Sequence, residues 1–379
     1  MMNMNNSFDD IRPYNDAEVR PVIDRLLQDQ ELIEAISQYK YPWLKKILGR
    51  GYNIIVQKRM ARKLRGVVDV HSWQMVLVGY MLHMIDNSID DLTYSGINEL
   101  SADKAYLFIS NHRDIVLDPA LVNYGLYKHN LPTVRIAIGD NLLQKPYITD
   151  LMRLNKSFIV KRSVVGLREK MKVYMDLSSY INQSVHGGHN IWIAQREGRA
   201  KDGVDTTDAA IMKMLYMCRK KSGQTFADYI NSLHIVPVAL SYEYDPCDQA
   251  KAIELTTRST GEPYVKSKYE DIDSIVKGII GAKGRVHVSF AKPLSGVFDH
   301  PEMLASVIDQ HITEHYHLHP TNYAAAAYLD GRKHQAADVL LKRFKDLSDQ
   351  QRHQALVAYA NPLWRRAKQI SEMQAPCHS

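Results

Sequence analysis

The stretch Asn111-His112-Arg113-Asp114-Ile115-Val116-Leu117-Asp118-Pro119 puts an imidazole two residues before one carboxylate and six before another. An imidazole titrates near neutrality and can take a proton from a hydroxyl. A carboxylate on its other nitrogen fixes the tautomer and stabilises the imidazolium that forms. The apolar run from Tyr106 to Ile109 just before it reads as a short buried strand. Asp118 before Pro119 reads as a helix start, with Asp118 as N-cap and Pro119 as the first helical residue. Six residues along a continuous helix turn through about 240°. His112 can therefore meet Asp118 only if it lies in a turn before the helix, and Asp114 stands in reserve as its partner.

A second polar turn follows about eighty residues on, after the apolar run Asn190 to Ala194. It carries Arg196, Arg199 and Lys201 together with Gly198 and Gly203. Glycines let backbone approach a ligand closely, and arginines present forked donors that match phosphate oxygens. Asp205-Thr206-Thr207-Asp208 then reads as another helix start, with carboxylates at the positive end of the helix dipole.

Taken together, these stretches resemble the glycerolipid acyltransferase family, which includes glycerol-3-phosphate and 1-acylglycerol-3-phosphate O-acyltransferases. The family's Asn-His-x4-Asp motif is approached by Asn111, His112 and an aspartate. Its Phe-(Ile/Val)-x-Arg strand resembles Phe158-Ile159-Val160-Lys161-Arg162. Its Glu-Gly-(Thr/Gly)-Arg-Ser motif is similar to Glu197-Gly198-Arg199, one residue short. Its Val-Pro-Val strand matches Val236-Pro237-Val238. The four motifs stand in the family's order between about Tyr106 and Glu243. The family's aspartate position is Leu117 here. The Pro-Ala that follows Asp118 looks like the family's Asp-Pro-Ala form, which favours Asp118 with one inserted residue.

The resemblance implies a reaction and a set of roles. A hydroxyl of 1-acylglycerol-3-phosphate or glycerol 3-phosphate attacks the thioester of an acyl-CoA or acyl-carrier protein. His112 is the general base and Asp118 orients it, with Asp114 the alternative. Arg162, Glu197, Gly198 and Arg199 bind substrate, with Lys161 and Lys201 as further cations, and Pro237 shapes the site. The thioester is a substrate, so no cofactor is expected. The other readings are a different lysolipid or amino-lipid acceptor, and a non-catalytic membrane-binding scaffold of the same fold. A hydrolase is disfavoured because the chain has no Gly-x-Ser-x-Gly elbow to supply a nucleophile.

These motifs need a frame to position them. Strands are expected at 106–110, 133–138, 157–162, 190–194, 234–240 and 285–290. Helices are expected at Val19 to Ser37, Tyr41 to Leu64, Val165 to Val185 and Asp205 to Lys220. Leu167, Met171, Tyr174, Leu177 and Ile181 form a core stripe on the third. Such alternation predicts an α/β fold, a mixed β-sheet flanked by helices, with helical N- and C-terminal extensions. The expected division is a helical region at 1–98, the acyltransferase domain at 99–318 and a helical extension at 319–379. Pro237 has no donor for a ladder and suggests an edge or bulged strand.

Composition narrows the class further. Cys218, Cys247 and Cys377 have neither zinc spacing nor a disulfide framework. His186, His189 and the group His311, His315, His317 and His319 show no carboxylate or cysteine at a familiar metal spacing, so no metal is expected. The apolar run Trp73 to Ile85 is too short to span a bilayer. Lys58, Arg59, Arg62, Lys63 and Arg65 stand near Trp43, Leu44, Ile47, Leu48, Ile54 and Ile55, and the net charge is +6. Basic beside apolar residues suits an anionic lipid surface, and no nucleic-acid module is recognisable. The expectation is a cytoplasmic protein, peripheral on the inner face of the cell membrane.

Overall fold

The structure is a computed structural model that describes residues 8–40, 49–261, 263–267 and 270–374. The chain forms two compact units, Met1–Tyr80 with Arg135–Lys170, and Met81–Val134 with Met171–Ser379. Seven strands make the mixed sheet that the alternation predicts: β1 (Asp91–Ser95), β2 (Leu107–Ser110), β3 (Arg135–Gly139), β4 (Ser157–Val160), β5 (Ile191–Ala194), β6 (Ile235–Tyr242) and β7 (Arg285–Phe290).

In the second unit the strand order is β1-β7-β6-β2-β5. β2 runs parallel to both β5 and β6, β1 is parallel to β7, and β6 and β7 are antiparallel. Every residue of β2 and β6 is buried. These are the continuous apolar runs of strands covered on both faces. The sequence reading missed β1 because Asp91-Leu92-Thr93-Tyr94-Ser95 is polar and only partly buried, as an edge strand is.

Pro237 is not on an edge or a bulge. It pairs with Ile109 inside β6, which has a neighbour on each side. The register with β7 starts one residue later, at Val238 opposite Phe290. The Pro237 carbonyl accepts from the N–H of Ala291, 2.9 Å away, just past the end of β7. In an extended strand the nitrogen of a residue faces the same side as its carbonyl. The missing donor therefore points where the regular ladder has stopped.

In the first unit β3 and β4 pair in parallel. A core of Val19, Val22, Ile23, Leu26, Leu32, Trp73 and Leu154 gathers the helices there. The helix expected from Val19 to Ser37 is two, Asp16–Gln28 and Gln30–Lys40. Asp29 breaks it, with an extended backbone and a carboxylate that accepts from the N–H of Leu32 at 2.8 Å. The expected helix Tyr41 to Leu64 is described from Arg50 to Lys63. Trp43, Leu44, Ile47 and Leu48 lie outside the described residues.

Two other helices depart from expectation. Leu167–His186 forms, but its stripe is core only in its second half. Leu177 and Ile181 are buried, whereas Leu167, Met171 and Tyr174 are exposed, because no element among the described residues covers the first turns of that face. The helix expected from Asp205 begins at Ala209, capped by Asp208, whose side chain accepts from the N–H of Ala210. Asp205 is occupied elsewhere, as the site shows. The C-terminal region is helical as expected, in Pro320–Leu329, Ala337–Arg343 and Asp349–Gln374. Small Ala324, Ala325 and Ala326 let these helices close around Leu340, Phe344, Leu356 and Tyr359. Among the described residues, no helix is long and apolar enough to cross a membrane.

Candidate active site

The site grows from the end of β2. Asn111 is fully buried, and its side-chain amide grips the backbone of β6: it donates to the Leu240 carbonyl at 2.9 Å and accepts from the Leu240 N–H at 2.8 Å. That clamp turns the chain out of the sheet at His112. The next helix runs from Leu117 to Lys128, so His112 lies in the turn ahead of it, as the Asp118 pairing requires. His112 Nδ1 is 2.8 Å from Asp118 Oδ2. Asp118 is wholly buried and the His112 side chain is 14% exposed, so the imidazole reaches solvent on its far side.

Four donors hold Asp118. Oδ2 also accepts from the N–H groups of Arg113 at 2.6 Å and Asp114 at 2.9 Å, and Oδ1 accepts from the Tyr242 hydroxyl at 2.7 Å. Burial, and after it the charge of Asp118, holds the Tyr242 phenol well above its ordinary pKa, so it remains a donor. Asp118 is not the N-cap of its helix, which begins one residue earlier with Val116 in that position. Asp114 does the capping: its Oδ1 accepts from the N–H groups of Val116 and Leu117, both at 2.9 Å. The His112 Nδ1 contact is made with Asp118, while Asp114 Oδ1 serves this cap. Burial, then the nearby charge of Asp118, pushes the Asp114 carboxyl up.

β5 supplies the wall and the loop. Trp192 sets its indole edge-on to His112, ring centres 5.8 Å apart, and its Nε1 donates to Ser110 Oγ at 3.1 Å. The N–H of Ala200 donates to the His112 carbonyl at 2.8 Å, tying the arginine loop to the histidine turn. At the loop tip Glu197 and Gly198 are exposed, and Gly198 has φ 75°, the left-handed backbone that favours glycine. Arg199 is half-buried. Its Nη2 donates to Ser274 Oγ at 3.3 Å, while its Nη1 is buried without a hydrogen-bond partner among the described residues. A buried guanidinium nitrogen with no acceptor suits an anionic ligand. Lys201 is less suited, since it is paired with Glu254.

Asp205 belongs to this site and not to a helix start. It forms a 2.6 Å ion pair with Arg113 and accepts from Asn111 Nδ2 at 3.2 Å. Lys251 Nζ donates to the Arg113 carbonyl at 2.7 Å, and the Tyr316 ring lies 5.5 Å from the guanidinium. Arg113 is thereby fixed from elements far along the chain. Pro237 lies in β6, three residues before the Leu240 backbone that Asn111 grips.

Arg162 belongs to the first unit. Lys161 and Arg162 fall beyond the end of β4, so strand alternation does not set their directions. Arg162 is exposed, with its N–H held by Asp140 Oδ1 at 3.0 Å, and Lys161 pairs with Asp10. Sequence reasoning missed Tyr242, Trp192 and Asp205. Tyr242 had a signal, a hydroxyl two residues past Leu240 on an apolar strand, and so on the same face.

Residues 91–241 match the family model Acyltransferase. Among solved structures the chain is similar to the crystal structure of the 1-acyl-sn-glycerophosphate (LPA) acyltransferase PlsC from Thermotoga maritima. The identity is 15%, over 59% of this chain and 69% of that one, with a TM-score of 0.31. No curated protein matches. The matched span runs from β1 into β6 and carries the turn of His112 and the loop of Arg199. It is an acyltransferase domain. By that match the chain's class is acyltransferase.

Proposed function

We propose that this protein transfers a fatty acyl group from acyl-CoA or acyl-carrier protein to a hydroxyl of 1-acylglycerol-3-phosphate or glycerol 3-phosphate in phospholipid synthesis. The observation that carries the reading is the 2.8 Å contact of His112 Nδ1 with the buried Asp118. Asp118 accepts only, so Nδ1 holds the proton and Nε2 is the basic nitrogen. Nε2 takes the proton of the acceptor hydroxyl as its oxygen attacks the thioester carbonyl. The imidazolium, stabilised by Asp118, then returns a proton as the carbon–sulfur bond breaks and the thiol leaves. The substrate hydroxyl is the nucleophile, so no acyl-enzyme is formed. Arg199 receives the acceptor phosphate. Glu197 and Gly198 form the loop beside the acceptor, and Pro237 shapes the strand behind the site.

The same reading places the protein on an anionic membrane surface at the cytoplasmic face. Exposed Ile54 and Ile55 beside exposed Lys58, Arg59, Arg62, Lys63 and Arg65 support it. The test is ester formation with each donor against glycerol 3-phosphate, lysophosphatidate and a lysolipid lacking a free phosphate. Arg199→Ala should raise KM for the first two acceptors about tenfold with kcat largely kept. An equal effect on the phosphate-free acceptor would remove Arg199 from phosphate binding. Absence of ester with every pair would overturn the proposed substrates.

A further inference from the structure

The last turn of the helix Pro301–His315 carries His311, Glu314 and His315, at spacings of three, four and one. Positions three and four apart share a helix face. One ligand atom from each of the three side chains lies within 4.8 Å of the other two. The sequence alone shows no carboxylate at a familiar metal spacing beside these histidines, yet Glu314 stands among them in the structure.

We propose that His311, Glu314 and His315 form a binding site for a divalent transition-metal ion of the zinc type, separate from the acyl-transfer site. Two imidazoles and one carboxylate are a zinc ligand set that leaves a fourth position to water. With ligands at about 2.0–2.2 Å from the ion, the three atoms must draw together by roughly 1 Å. Exposed Glu314 and His315 can do so by side-chain rotation.

Four features point to a ligand rather than to chance proximity. His311 Nδ1 is buried with no hydrogen-bond partner among the described residues, a cost that coordination would remove. His315 Nδ1 is 2.9 Å from the His311 carbonyl and must donate to it, so the lone pair sits on Nε2. Glu314 Oε1 accepts from Gln310 at 2.9 Å and from Gln369 of the helix Asp349–Gln374 at 3.2 Å, which orients the carboxylate. The site also lies at the negative end of the helix dipole, where a cation is stabilised. The opposing charge is Arg366, which donates to the carbonyls of Thr313, Glu314 and Tyr316; the Glu314 carboxylate offsets it.

The test is titration of the tag-free, chelator-stripped full chain with zinc chloride, followed by calorimetry and by thermal melting. The expected result is one saturable equivalent and a rise in Tm of several degrees. Both should be lost, or the affinity weakened at least tenfold, in His315→Ala and in Glu314→Gln. Both residues are exposed, so these variants fold, which their circular dichroism checks. Magnesium should do nothing. No saturable zinc binding by the wild type would overturn the proposal, as would wild-type affinity in His315→Ala. Neither outcome bears on the acyl-transfer reading.

Discussion

Tyr242→Phe removes one oxygen, and with it the donor to Asp118 Oδ1. Oδ2 keeps His112 and the N–H groups of Arg113 and Asp114, so the carboxylate stays in place. Oδ1 is left bare in a wholly buried residue. A hydrogen bond to a charged group is worth about 1.5–3 kcal/mol. Losing it makes the carboxylate more basic, and the pair His112–Asp118 then holds its proton more tightly. If about 1.4 kcal/mol of this reaches the histidine, the acid limb of the rate profile moves up by about one pH unit. Below the limb, kcat/KM falls about tenfold; above it, activity recovers. The assay is kcat/KM for acyl transfer across roughly pH 5.5 to 9 for both proteins. A folded Tyr242→Phe protein with an unshifted acid limb would refute the argument, even if its rate were lower throughout. A uniform loss would mean that Tyr242 only supports packing.

Two further predictions concern stability. Gly203 has φ 77°, and a Cβ there would stand 2.0 Å from the Ala358 carbonyl oxygen. Gly203→Ala should therefore cost about 2 kcal/mol or more in urea unfolding, and an unchanged midpoint would contradict the packing described. Burial, then the charge of His317, holds the His319 imidazole down at about 4, against an unfolded value near 6.5. The unfolded chain takes the proton first, so stability should fall as pH drops from about 6.5 toward 4, by roughly 3 kcal/mol over the whole window. His319→Gln should flatten that dependence in urea titrations; an equal slope in the variant would assign it to other groups.

The sheet was legible where strands are buried on both faces. The runs around Phe108, Trp192 and Val236 are apolar from end to end, and they became β2, β5 and β6. It was illegible at the edge: Asp91–Ser95 carries too few apolar residues to announce a strand, and only its pairing with β7 makes one. The histidine turn was legible through residue type and the geometric condition on Asp118, and the structure meets that condition. The division of labour between Asp114 and Asp118 was not, because either can cap a helix in sequence. Only the paths of Oδ1 and Oδ2 separate them. Tyr242, Asp205 and Lys251 reach the turn from later in the chain, and no local pattern links them to it. The exposed half of the stripe at Leu167, Met171 and Tyr174 shows the same limit in reverse: periodicity marks an apolar face but does not say what covers it.

The central claim is that His112, oriented by Asp118, takes the proton from the acceptor hydroxyl. Its most direct test is the rate of ester formation by His112→Ala beside the wild type, with an acyl-CoA or acyl-carrier protein donor and a glycerophosphate acceptor. The account predicts a fall of about 10²–10⁴-fold with the fold intact. A His112→Ala protein that turns over at the wild-type rate would contradict it.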